Sequence, residues 1–86
     1  MIDLDIAAVR AFVHVADLRS FTRAAEALGT TQAAISMRLQ RLEALLERRL
    51  LERSPRSVGL TAEGSAFLDW ARALIDNMIA RSPASE

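Results

Sequence analysis

From residue 6 to residue 16 apolar side chains return every three or four positions (Ile6, Val9, Phe12, Val13, Ala16), the mark of one helical face. Asp3 or Asp5 ahead of them can cap the helix start. Asp17-Leu18-Arg19-Ser20 breaks the pattern as a polar turn, and a short second helix follows from about Thr22 to Leu28, with Ala24, Ala25 and Leu28 inward. Gly29 stands where a helix C-terminus needs a residue that tolerates positive φ. Thr30 or Thr31 can cap a third helix running to about Glu47, whose inward stripe is Ile35, Leu39, Leu42 and Leu46. Across the axis lie Ala33, Ser36, Met37 and Gln40, with Gln32 at the exposed N-terminal end. A solvated helix normally carries Glu and Lys on that side; small and amide side chains suit a contact surface.

Beyond the third helix, Leu50-Leu51-Glu52-Arg53 and Ser57-Val58-Gly59-Leu60 form two short strands around Ser54-Pro55-Arg56, with Pro55 in the second turn position. Their alternation is poor. Thr61 starts a long helix, Gly64 near its beginning permits close packing, and Phe67, Ala71, Leu74, Ile75 and Met78 make its apolar stripe before Pro83 ends it. The small residue Ala25, Gly29 four positions later and β-branched Ile35 six beyond that meet the demands of a tight helix-turn-helix corner. Ala25 lets the helices cross closely, Gly29 makes the turn and Ile35 pins the second helix. An ordinary three-helix bundle can use the same corner, so the spacing alone does not separate packing from DNA binding.

Charge changes that picture. The 86 residues carry no formal net charge, which argues against a nucleic-acid partner. The distribution is uneven: residues 32–60 hold six arginines against three acids, a local excess of +3 beside the polar face of the third helix. Phosphate responds to such a local field more than to net charge. All the basic residues are arginine, suited to bidentate contacts, although a GC-rich genome produces the same bias. Cysteine and tyrosine are absent, and Trp70 and His14 stand alone of their kinds, leaving few parts for catalysis or a metal site. His14, among apolar residues, reads as structural. Glu43, Glu47 and Glu52 read as partners of Arg48, Arg49 and Arg53. No apolar run approaches the roughly 20 residues that span a bilayer. The acidic start, Met1 to Asp5, lacks the basic residues of a signal peptide, so a cytoplasmic location is expected.

The string Ser20-Phe21-Thr22-Arg23-Ala24-Ala25, then Leu28, Thr31-Gln32-Ala33-Ala34-Ile35-Ser36 and Leu42-Glu43, resembles the N-terminal domain of LysR-type transcriptional regulators. Leu50-Leu51-Glu52-Arg53 and Leu60-Thr61-Ala62-Glu63-Gly64 continue the resemblance, which covers about Leu4 to Ile79. It implies a third helix that enters the major groove, with Thr31, Gln32, Ala33 and Ser36 at base edges and phosphates. Gln32 would pair with an adenine edge, and the Ala33 methyl would meet a thymine methyl. It also implies a wing laying Arg53 and Arg56 beside the backbone or in the minor groove, and Thr22 and Arg23 on a phosphate. Met37 departs from the family, which commonly has Arg there; Arg38, on the flank nearer the core, and Arg41 are the substitutes, and Met37 and Gln40 stay among the DNA-facing residues of this helix. Glu47-Arg48 replaces a usual glycine and apolar residue, as though the helix ran further. The last helix resembles the family's linker helix, which pairs in a dimer, here through Trp70, Ala71, Leu74, Ile75 and Met78, while Phe67 serves the chain's own core.

The expectation is thus a mainly α fold: a winged helix-turn-helix over residues 1–60, with a three-helix core and a small two-stranded wing, then a long dimerising linker helix over 61–81. Residues 82–86 would be a hinge to an effector-binding domain that the chain lacks. The function expected is sequence-specific binding of an inverted repeat in double-stranded DNA by a homodimer, with higher oligomers open to the longer protein. No enzyme activity, cofactor, metal, membrane or bound small molecule is expected. The alternative is an interaction module of the same fold that dimerises and regulates a partner without reading DNA.

Overall fold

The computed structural model describes residues 5–53 and 58–80, and the side chains among them except those of 53 and 78–80. Its elements follow in the order α1 (Ile6–Leu18), α2 (Phe21–Leu28), α3 (Gln32–Leu46), β1 (Leu51–Arg53), β2 (Val58–Leu60) and α4 (Ala62–Ala80). Each helix starts on a side chain that accepts a free backbone amide: Asp5 from Ala7 at 2.9 Å, Ser20 from Arg23 at 3.1 Å, Thr31 from Ala34 at 3.1 Å and Thr61 from Gly64 at 2.9 Å. Such caps are each worth about 1 kcal/mol. Of the alternatives the sequence allowed, Thr31 rather than Thr30 caps α3. Asp3, the other candidate for α1, lies outside the described residues.

Three helices end in the left-handed conformation, at Arg19, Gly29 and Glu47. Glu47 corrects an expectation: α3 does not run on through Glu47-Arg48 but stops at Leu46, with Glu47 at φ 53°. The Arg48 amide then bonds back to the Glu43 carbonyl at 3.2 Å, which supplies the turn without a glycine.

The core gathers around α1, which packs against α2, α3, α4 and β2. One stripe cannot serve four neighbours. The buried residues are Ala8, Val9, Ala11, Phe12 and Val15, a wider and rotated face, while Ile6, Val13 and Ala16 are only half-buried. Ala24 and Ala25 of α2, then Ile35, Leu39 and Leu42 of α3, complete that core as expected, with Leu28 and Leu46 packed on its edge. His14 donates from Nδ1 to the Arg10 carbonyl at 2.9 Å, a bond within its own helix.

β1 and β2 are antiparallel, pairing Leu51 with Leu60, Glu52 with Gly59 and Arg53 with Val58. Pro55 and its turn lie outside the described residues. Leu50 and Leu51 are both buried although adjacent, which explains the poor alternation: Leu50 precedes the strand, in the bend. Glu43 organises that bend. Instead of pairing with an arginine, its Oε2 accepts the Leu50 amide at 2.8 Å and the Leu51 amide at 3.2 Å. On the other side the Thr61 amide donates to the Leu50 carbonyl at 3.1 Å, and the Thr61 hydroxyl donates to the Arg49 carbonyl. Gly64 fits beneath: a Cβ there would stand 1.9 Å from the Leu50 carbonyl oxygen.

α4 lies along α1. Phe67 meets Phe12 edge-on, with ring centroids 5.4 Å apart, and Trp70 tilts over Phe67 at 5.2 Å. Arg72 forks onto both carboxylate oxygens of Asp17. That pair is about half exposed and contributes at most about 1 kcal/mol, so apolar packing holds the helix. No described helix is long and apolar enough to cross a membrane.

Candidate nucleic-acid interface

The α2–α3 corner presents the first turn of α3 to solvent. Gly29 closes α2 at φ 67°, and Thr30 donates its amide to the Ala25 carbonyl at 2.9 Å, so the chain reverses within three residues. Ile35, fully buried, fixes which side of α3 faces in. Thr31, Gln32 and Ala33 are therefore exposed, as are Gln40 and Arg41, while Ser36 is half-buried. Met37 is 53% exposed, a large apolar side chain turned to solvent. This row of small, amide and thioether groups presents hydrogen-bond donors and acceptors beside methyl groups, the mixture that base edges match in the major groove.

Thr22 and Arg23 are exposed at the start of α2. The corner brings the first of them to α3: the Thr22 hydroxyl donates to Gln32 Oε1 at 3.3 Å. Arg38 is half-buried on the α1-facing flank. With Arg41, Leu42 and Leu45 it lines an open groove of about 460 Å³ against Asp5 and Ala8. Arg41 follows Met37 by one turn, so it is the arginine nearer the exposed row. Arg53 ends β1, but its side chain and the whole of Arg56 lie outside the described residues.

On α4, the expected partner-facing stripe divides. Ala71 is 0% exposed, taken up by the protomer's own packing, which removes it as a contact for a second copy. Trp70 remains 46% exposed and Leu74 and Ile75 are half-buried; the Met78 side chain lies outside the described residues. Glu43 is the residue whose backbone partners sequence reasoning missed. Its signal was a carboxylate set directly after Leu42 on the edge of the buried stripe, where a purely solvated acid is out of place.

A family model described as the bacterial regulatory helix-turn-helix protein, lysR family, matches residues 6–65. The HTH-type transcriptional regulator PecT of Dickeya dadantii is 43% identical over 75 residues, which cover 87% of this chain and 24% of PecT. The chain thus spans about a quarter of the length of that relative. Among solved structures, the BenM DBD–catB site 1 DNA complex superimposes with a TM-score of 0.87 at 38% identity, covering 90% of this chain and 86% of that one. The CbnR DBD–DNA complex gives 0.89 at 35% identity, covering 95% and 94%. The winged helix-turn-helix architecture is shared with both, and the relatives are regulators rather than enzymes. By its motifs, its fold and these matches, the chain belongs to the lysR family of bacterial regulatory helix-turn-helix proteins.

Proposed function

We propose that the chain is a sequence-specific reader of double-stranded DNA that acts as a homodimer in bacterial transcription regulation, in the cytoplasm. The observation that carries this is the exposed first turn of α3, held outward by buried Ile35 and furnished with Thr31, Gln32 and Ala33, with half-buried Ser36 following. In this reading α3 enters the major groove, Gln32 and Ser36 contact base edges, Arg41 follows along the helix, and Arg53 and Arg56 of the wing lie on the backbone or in the minor groove. Residues 1–60 read DNA, and 61–81 link and dimerise. Trp70, Leu74, Ile75 and Met78 meet the second copy, so that two recognition helices address an inverted repeat. No cofactor takes part.

Selection of bound duplexes from a random pool at near-physiological salt tests the proposal. An inverted repeat is the expected product; enrichment of nothing above background favours the interaction-module alternative. Gln32→Ala should then weaken the best site by ~1–3 kcal/mol and relax one base pair.

A further inference from the structure

A threonine hydroxyl has one proton to give. In this structure Thr22 spends it on Gln32 Oε1, across the corner between the second residue of α2 and the first of α3. A proton so placed is not available to a DNA phosphate, whose oxygens only accept. We infer that Thr22 is a positioning residue that sets the orientation of the Gln32 amide, and through it the base that Gln32 reads, rather than a phosphate contact. This rests on the DNA-reading function proposed above.

Gln32 and Thr22 are both exposed, so packing does not hold the amide. A free glutamine amide can turn about its last bond and exchange its oxygen and nitrogen, presenting opposite patterns to a base edge. In this structure the Thr22 hydroxyl acts as the donor, which holds the amide with Oε1 toward α2. It occupies one lone pair of Oε1 and turns the Nε2 donors away from α2. One lone pair and the N–H donors then remain for the groove. An acceptor beside a donor is complementary to the N6–H and N7 of adenine, whereas guanine offers two acceptors there.

The test is a selection at constant salt with five proteins: the parent chain, Thr22→Val, Gln32→Ala, the double variant, and Thr22→Ser as the rescue. Valine keeps the shape and removes the proton. Thr22→Val should lower the adenine preference at the one base pair that Gln32→Ala relaxes, by roughly two- to tenfold, the factor one neutral hydrogen bond is worth. Binding to unrelated sequences should stay unchanged, and Thr22→Ser should restore the preference. In the Gln32→Ala background, Thr22→Val should have no further effect on base choice. Equal weakening across all sequences, or additive effects of the two substitutions, would overturn the inference and return Thr22 to the phosphate. Failure of the parent chain to select any sequence would instead sink the DNA-reading function itself.

Discussion

Gly29, at the joint before α3, adopts φ 67° and has nothing within 4 Å of where a Cβ would stand. Gly64, in the joint after α3, lies inside a helix, and a Cβ there would stand 1.9 Å from the Leu50 carbonyl oxygen. The first glycine is needed for its backbone freedom and the second for its lack of volume. The joints differ in the same way. The α2–α3 corner is made by neighbours in sequence, through Thr30 to Ala25 and the caps Ser20 and Thr31. The α3–wing–α4 joint is made by residues seven to twelve positions apart, through Glu43 to Leu50 and Leu51, and Thr61 to Arg49. A local turn can be tuned residue by residue, whereas the second joint concentrates its tolerance on a few atoms in contact.

The most damaging substitution should therefore be Gly64→Ala. Alanine favours a helix by about 1 kcal/mol over glycine, but a methyl driven into a backbone carbonyl outweighs that. A net loss of about 3 kcal/mol is expected, read as a fall in Tm of about 15 °C at fixed protein concentration. An unchanged Tm would mean that the wing root slides aside freely. Next comes Glu43→Ala, which strands two part-buried amides and should cost about 2 kcal/mol in denaturant titration. Both bonds end on one oxygen, so Glu43→Gln should retain most of the stability; an equal loss in both variants would show that charge, not the acceptor, matters. Gly29→Ala should cost only about 1 kcal/mol, the strain of a left-handed alanine in open space. If it exceeds Gly64→Ala, the contrast between the joints collapses. Smallest, and opposite in sign, Glu47→Gly should stabilise by about 0.5 kcal/mol, since φ 53° suits glycine and its greater unfolded entropy offsets part of the gain.

The same contrast explains what could be read from the residues alone. The corner was legible because its determinants sit within eleven positions: Ala25, Gly29, Thr31 and Ile35 each announce a local role. The exposed row from Thr31 to Gln40 followed from the α3 stripe by subtraction. Glu43 was assigned to arginines because Arg48 and Arg49 follow it at the helix exit, while its real partners are backbone amides, which every residue type but proline carries alike. Periodicity also understated α1, since a helix with four packing neighbours buries positions that a single stripe leaves out. Ala71 fits a stripe as well facing inward as outward, and the side that α4 turns to its own core is fixed by long-range contacts such as Phe67 on Phe12.

Thr61 belongs to the wing and to α4 together: its amide and hydroxyl hold Leu50 and Arg49, and that hydroxyl also caps the helix at Gly64. Mechanically this makes a lever with a short arm at the wing root and a long arm of about 28 Å, the length of 19 helical residues. A tilt of about 10° at the pivot displaces the far end by about 5 Å over such a length. Phe67 against Phe12 and Arg72 on Asp17 oppose such a tilt, so the angle between the wing root and α4 is set by the protomer's own packing on α1.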